Sequence, residues 1–264
     1  MIHPTAVIGP QVTLGQRVAV GPYTVIDGAV SLGDECQIGP HCHLTGHTTI
    51  GARTRIHHGA VIGDLPQDYD FKDTLSYTRI GSDCVLREYV TVHRGTKEAS
   101  TTSIGDHCML MAFVHVAHNC QIADRVVIVN NSLLAGYVEV GYRAILSGDI
   151  GVHQFVRIGA YAMLAGKTRL TRDVAPFCLM ADDAIYGPNT VGLRRAGFDS
   201  KTRTAIRQIV KTYFFSGLLH QAALEQIERE YPELEQAQFF AQFARASKRG
   251  LVPGTRHAPA PSEE

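Results

Sequence analysis

The chain has 264 residues, 45% of them hydrophobic, enough to bury a full core in one long domain. Its 25 Lys and Arg balance 25 Asp and Glu, which argues against a protein built mainly to bind nucleic acid or an anionic membrane. No apolar run reaches the length of a transmembrane segment, and Met1-Ile2-His3-Pro4 opens with neither a basic nor an apolar leader region, so the expected location is the cytoplasm.

An aliphatic residue recurs at every sixth position, from Ile2 through Ile8, Leu14 and Val20 to Ile62. A period of six fits neither an α-helix nor simple strand alternation. It fits a parallel β-helix of short flat faces, in which three faces make a coil and residues 18 apart become neighbours roughly 4.8 Å apart. Gly follows the rung at 9, 15, 21, 33, 39, 51 and 63, where the chain turns tightly and a Cβ would be in the way. Residues 64–79 abandon the pattern and read as a protruding loop. Ile80, Leu86 and Val92 resume it, residues 94–103 make a second polar excursion, and an unbroken series runs from Ile104 to Leu170. The 26 hexads make a triangular prism of between eight and nine coils over residues 1–172.

Five of the six cysteines obey this repeat. Cys36, Cys42, Cys84, Cys108 and Cys120 each fall four places after a rung, an inward slot otherwise filled by small residues, and are expected as buried free thiols. Cys178 lies outside the ladder. Residues 173–198 read as a turn-rich connector containing Pro176, Gly187, Pro188 and Gly192. Residues 199–250 read as helical: Asp199 or Ser200 caps a helix carrying Ile206, Ile209, Val210 and Phe214, and Pro232 marks another start, leading to Phe239, Phe240 and Phe243. Residues 251–264, rich in proline and without apolar spacing, are expected to be a disordered tail.

A prism has a packed interior, so chemistry belongs on its outside, on its loops or between copies. His118, two places past the rung Val116, points outward. Counting by coils from it gives Gly136 and then Gln154, a column of imidazole, bare backbone and amide. A neutral imidazole can take a hydroxyl proton, and a glycine N–H can stabilise the oxyanion of a tetrahedral intermediate. Asn119 can hold the ring but cannot stabilise an imidazolium by charge. His115, with His93 and His153 also beside rungs, strengthens a functional reading of this region. The same histidines also have the composition of a zinc site shared between subunits, as in γ-class carbonic anhydrases, and that alternative stays open.

Several motifs carry a specific resemblance: His115-Val116-Ala117-His118-Asn119-Cys120, Thr91-Val92-His93-Arg94-Gly95-Thr96, Val152-His153-Gln154-Phe155, Gln67-Asp68 and Gly192-Leu193-Arg194-Arg195. In this order, over nearly the whole chain, they resemble the UDP-N-acetylglucosamine 3-O-acyltransferases that begin lipid A synthesis. The resemblance implies a left-handed parallel β-helix followed by a small helical region, assembled as a homotrimer with sites between subunits. It implies transfer of a 3-hydroxyacyl chain from acyl carrier protein to the glucosamine 3-hydroxyl of UDP-GlcNAc, with no metal and no cofactor beyond the carrier's phosphopantetheine.

On that resemblance His118 is the general base and Gly136 the oxyanion donor. Gln67 and Asp68 contact the sugar, His93, His115, His153 and Gln154 line the substrate cleft, and Asn189 and Arg195 hold the nucleotide. Gly166 matches a position that measures the acyl chain, implying a preference for C12 to C14. Arg194, Arg195, Lys201, Arg203, Arg207 and Lys211 form a basic run opposed only by Asp199, suited to an acidic carrier protein. The chain departs from the family pattern at Tyr137, Asp70, Val191 and Ala196, where a histidine, a lysine, an acid and a second arginine are usual; Lys72, Lys167 and Arg194 can restore positive charge. These departures leave two alternatives: the same chemistry on the 3-amino analogue of UDP-GlcNAc, or a non-catalytic homologue that binds the nucleotide sugar or the carrier.

Overall fold

The structure, a computed structural model, describes residues 1–255. The hexads close into a triangular prism whose faces are sheets of nine, eight and ten strands, parallel except for the terminal strand of the largest. Most strands are two residues long and pair with the strand one coil on: Val7 with Val25, His115 with Leu133, Leu133 with Gly151. Rungs such as Ile26, Leu44, Ile62, Leu110, Leu134 and Leu146 are fully buried and stack along the axis. Each contributes about 1.5–3 kcal/mol by leaving water, and so many short strands hold together only because the rungs do. The coil is left-handed.

Two positions shape each corner. The glycine after a rung is a close approach to the next coil: a Cβ on Gly33 would meet Ala52 N at 2.6 Å, and one on Gly105 would meet Asp124 N at 2.7 Å. The left-handed turn itself sits two places further on, and glycine is not needed there. Arg17 (φ 56°), Glu35 (61°), Asn119 (62°) and Tyr137 (60°) all adopt it. Each costs on the order of 1 kcal/mol, which the stacked ladder offsets.

Both excursions are shorter than expected. Strands Val61–Asp64 and Tyr77–Ile80 bracket the first, leaving residues 65–76 as loop, and strand Thr101–Ile104 trims the second to residues 94–100. The prism also runs past Leu170, a correction to the expected connector. Val174 bridges to Ile158, and strand Cys178–Ala181 pairs with the preceding coil so that Met180 faces Leu164. Val174 follows Leu170 by four positions instead of six, and this loss of two residues breaks the sixfold count without breaking the stack. Cys178, four places after Val174, therefore falls in the same inward slot as the other cysteines, and all six are buried and free. Strand Ala184–Pro188 returns antiparallel to close the end of the prism.

Four helices follow: α1 (Thr190–Arg195), α2 (Ser200–Phe215), α3 (His220–Glu230) and α4 (Glu235–Ala246). Asp199 caps α2 by accepting from Thr202 N–H at 2.9 Å. Pro232 does not start α4; it lies in the turn before Leu234, which precedes the first helical residue. The helices bury Ile206, Ile209, Leu224, Ile227 and Phe240 among themselves. The first residues of the expected tail are pinned. Leu251 bridges to Asp173, Gly254 bridges to Ile185, and Val252 is buried. The remainder of that tail lies outside the described residues. No helix among the described residues is long and apolar enough to cross a membrane.

Candidate active site

His118 stands at a corner, outside the prism, as its place two residues after Val116 requires. It is nevertheless only 5% exposed, with Asp68 of the loop of residues 65–76, Asn119 and Tyr137 packed against it. One coil on, Gly136 lies against its ring: a Cβ there would sit 2.5 Å from Nε2 and 2.9 Å from Nδ1. Only glycine fits beside this imidazole. Among the described residues no backbone or side-chain group accepts from the Gly136 N–H. Such free N–H groups recur at other corners; this one lies beside the His118 imidazole.

The ring's protonation follows from its neighbours. Nδ1 lies 3.1 Å from Asn119 Oδ1, and the same oxygen accepts from the Thr96 N–H at 3.1 Å and the Thr96 hydroxyl at 2.9 Å. Two donors already point at that oxygen, so the ring nitrogen facing it donates too. Nδ1 therefore carries a proton, and Nε2 faces Asp68 Oδ2 at 3.5 Å.

Asp68 is held in turn by its own loop. Its Oδ1 accepts from Asp70 N–H at 3.0 Å, and Arg94 clamps the loop by lying over the Phe71 ring, 5.5 Å from the centroid, and pairing with Asp73 at 3.4 Å. His115 packs edge-on against His93, with centroids 4.9 Å apart, and its Nδ1 lies 2.7 Å from Thr91 Oγ1. Burial, reinforced by His93 and His118, pushes His115 down to about 4. Burial lowers His93 as well. Near neutral pH both rings beside His118 are therefore uncharged, able to hydrogen-bond a ligand but not to repel a positive charge on the His118 ring.

A groove of about 640 Å³ opens in front of Nε2, lined by Gln67, His115, His118, Gly136, Gln154 and Arg169, with Leu133 and Val152 as apolar wall. His153 also lines it and lies 3.3 Å from the Arg249 guanidinium, which ties the chain after α4 to the groove. Arg169 escapes sequence reasoning, although counting coils from His115 through Leu133 and Gly151 leads to it.

Of the residues expected to line the cleft, His93 packs against His115 without lining the groove, and three other expected site residues are elsewhere. Asn189 caps α1, its Oδ1 accepting from Gly192 N–H at 3.0 Å and its Nδ2 donating to Tyr161 O at 2.9 Å, so its amide is engaged inside the chain. Arg195 is exposed at the end of α1. Gly166 lies at a different corner, where a Cβ would meet Gly148 O at 2.8 Å. None of the three lines the groove of a single chain. Among the departures, Asp70 and Val191 are exposed and Ala196 ends α1. Among the described residues, no three His, Cys, Asp or Glu side chains converge as metal ligands.

An imidazole anchored through one nitrogen, a bare backbone N–H beside it and a groove of mixed polar and apolar lining on a hexapeptide prism are the features of an acyltransferase of the hexapeptide-repeat class. Residues 29–64 and 101–136 match the bacterial transferase hexapeptide (six repeats) family, and residues 173–252 match UDP-N-acetylglucosamine O-acyltransferase, domain 2. The acyl-[acyl-carrier-protein]–UDP-N-acetylglucosamine O-acyltransferase of Synechocystis is 41% identical over 78% of this chain and 77% of its own. That of Xanthomonas euvesicatoria is 40% identical over 96% of this chain and 97% of its own. The UDP-N-acetylglucosamine acyltransferase structure from Francisella novicida superposes with a TM-score of 0.93 at 33% identity, covering 97% of this chain and 95% of that one. The chain belongs to the acyl-[acyl-carrier-protein]–UDP-N-acetylglucosamine O-acyltransferase family.

Proposed function

We propose that this chain moves a 3-hydroxyacyl group from acyl carrier protein to the glucosamine 3-hydroxyl of UDP-GlcNAc, the first step of lipid A biosynthesis. The observation that carries this reading is the pairing of His118 Nε2 with the Gly136 N–H beside Gln67 and Asp68. The sugar hydroxyl donates to Nε2, and its oxygen attacks the thioester carbonyl as its proton passes to the imidazole. The carbonyl oxygen becomes an oxyanion and accepts from the Gly136 N–H. Collapse of the tetrahedral intermediate forms the ester and releases the phosphopantetheine thiolate, which takes the proton back from Nε2. Atoms and charge balance without a metal or a resident cofactor.

The 3.5 Å between Nε2 and Asp68 suits a sugar carrying adjacent hydroxyls, one on the base and one on the carboxylate. Gln67, His115, His153 and Gln154 contact the remaining polar groups, with His93 behind His115 fixing its ring. Asn189, through its backbone and helix, and Arg195, through a guanidinium suited to a diphosphate oxygen, belong to the nucleotide site. Their distance from this chain's groove suits a homotrimer in which that site is completed across a subunit boundary. Gly166, exposed at another corner, then faces the channel of a neighbouring copy and admits a C12 to C14 chain.

The test is a product assay with UDP-GlcNAc, its 3-amino analogue and 3-hydroxyacyl carrier proteins from C10 to C16, alongside His118→Ala. Ester formation on UDP-GlcNAc that falls at least roughly a hundredfold in the variant is expected. Best turnover with C10 would refute the chain-length reading, and preference for the amine would change the acceptor. No transfer to either acceptor, by a folded protein that binds the nucleotide, would point to a binding protein.

A further inference from the structure

The carboxylate that a histidine base usually leans on is missing here, and an amide takes its place. An amide has a wrong side. If Asn119 presented Nδ2 to His118, the ring nitrogen facing it would have to accept, its proton would move to Nε2, and the base would meet the substrate hydroxyl as a donor. Something must therefore hold the oxygen inward.

Thr96 and Tyr137 are placed to do so. Thr96, 8% exposed, enters from the loop of residues 94–100 and aims two donors, its N–H at 3.1 Å and its hydroxyl at 2.9 Å, at Asn119 Oδ1. A flipped amide would set its NH₂ against both. With its proton committed to Asn119, the Thr96 oxygen accepts from the Tyr137 hydroxyl at 3.1 Å. Tyr137 occupies the left-handed corner one coil beyond Asn119, stacked on Phe155 at 4.9 Å and edge-on to His118 at 5.3 Å. The Lys97 ammonium lies 6.0 Å from its ring centroid. The hydrogen bonds thus run in one direction from Tyr137 to Thr96 to Asn119, where the imidazole N–H joins them.

We infer that Thr96 and Tyr137 are positioning residues that hold the Asn119 amide oxygen toward His118 and so keep the imidazole in its base-competent tautomer. The inference rests on the general-base reading of His118. It also gives Tyr137 a purpose: in this chain it completes the polar shell that an amide needs and a carboxylate does not.

The experiment is a double-mutant cycle read in kcat at saturating substrates. Thr96→Val is expected to lower kcat roughly fivefold with KM little changed, the effect of one hydrogen bond, and Thr96→Ser to restore it. A carboxylate has no wrong side, so in an Asn119→Asp background Thr96→Val should cost less than about twofold. Equal cost in both backgrounds, or an inactive Asn119→Asp enzyme, would overturn the inference. Should Thr96→Val fail to fold, Tyr137→Phe, which keeps the ring stack, is read through the same cycle with the same two outcomes. His118→Ala with wild-type transfer would instead sink the general-base reading itself, so the two failures are distinguishable.

Discussion

Replacing Gly136 with alanine tests the centre of the site with a single methyl group. The new Cβ would lie 2.5 Å from His118 Nε2 and 2.9 Å from Nδ1, whereas ordinary contact is about 3.5 Å, so the ring must retreat by about 1 Å. Gly136 is not in the left-handed region, and alanine strains no dihedral there. The ring cannot retreat freely: it is 5% exposed, bonded to Asn119 at 3.1 Å and flanked by Tyr137. A displacement of about 1 Å at a reacting atom lowers turnover on the order of a hundredfold, and overpacking of this kind costs about 1–3 kcal/mol of stability. Transfer would be followed by mass spectrometry and stability by denaturant unfolding. The stability loss should vanish in a His118→Ala background, where no ring opposes the methyl group. Turnover within about threefold of wild type, or the same destabilisation with and without the ring, would refute this account of the His118–Gly136 contact.

Acidification provides a second test. His115 is held down at about 4, against about 6.5 when unfolded, so the unfolded chain takes up the proton first. Its contribution is intact above pH 6.5, falls as pH drops toward 4 and then levels off; between pH 7 and pH 5 the loss is about 2 kcal/mol. Unfolding at both pH values should show His115→Gln losing less than wild type, and equal losses would remove His115 as the cause. Asp68→Ala should raise the KM for the sugar nucleotide about tenfold while kcat changes less than about threefold, the signature of lost ground-state binding; a fall confined to kcat would instead put Asp68 in the chemical step. Reversing Arg207 and Lys211, both exposed on α2, to glutamate should raise the KM for acyl carrier protein roughly tenfold at low salt, with the gap closing at high salt. An unchanged KM would move the docking surface elsewhere.

The prism was legible because its rungs must be buried and its coils have constant length. A side chain at every sixth position can reach the axis in only one register, so the column of His118, Gly136 and Gln154 follows from counting. The same rule accounts for the inward cysteines, and its one failure is instructive. The coil that loses two residues before Val174 keeps its stacking while the count slips, so Cys178 was left outside the pattern it obeys.

Family motifs, rather than periodicity, pointed to Gln67 and Asp68, and only folding shows what holds them. A loop has no register, so nothing in its composition states that Asp68 comes within 3.5 Å of His118, or that Arg94 clamps it there through Phe71 and Asp73. Thr96 is the clearest case: it reads as one polar residue in a polar excursion, yet it meets Asn119 and Tyr137 across 23 and 41 residues of chain. By itself the sequence determined the prism, its buried ladder and the outward column that bears His118. The tertiary structure alone decided which loop atoms meet that imidazole and which of its nitrogens Asn119 holds, because those depend on the path of chain segments that no repeat constrains.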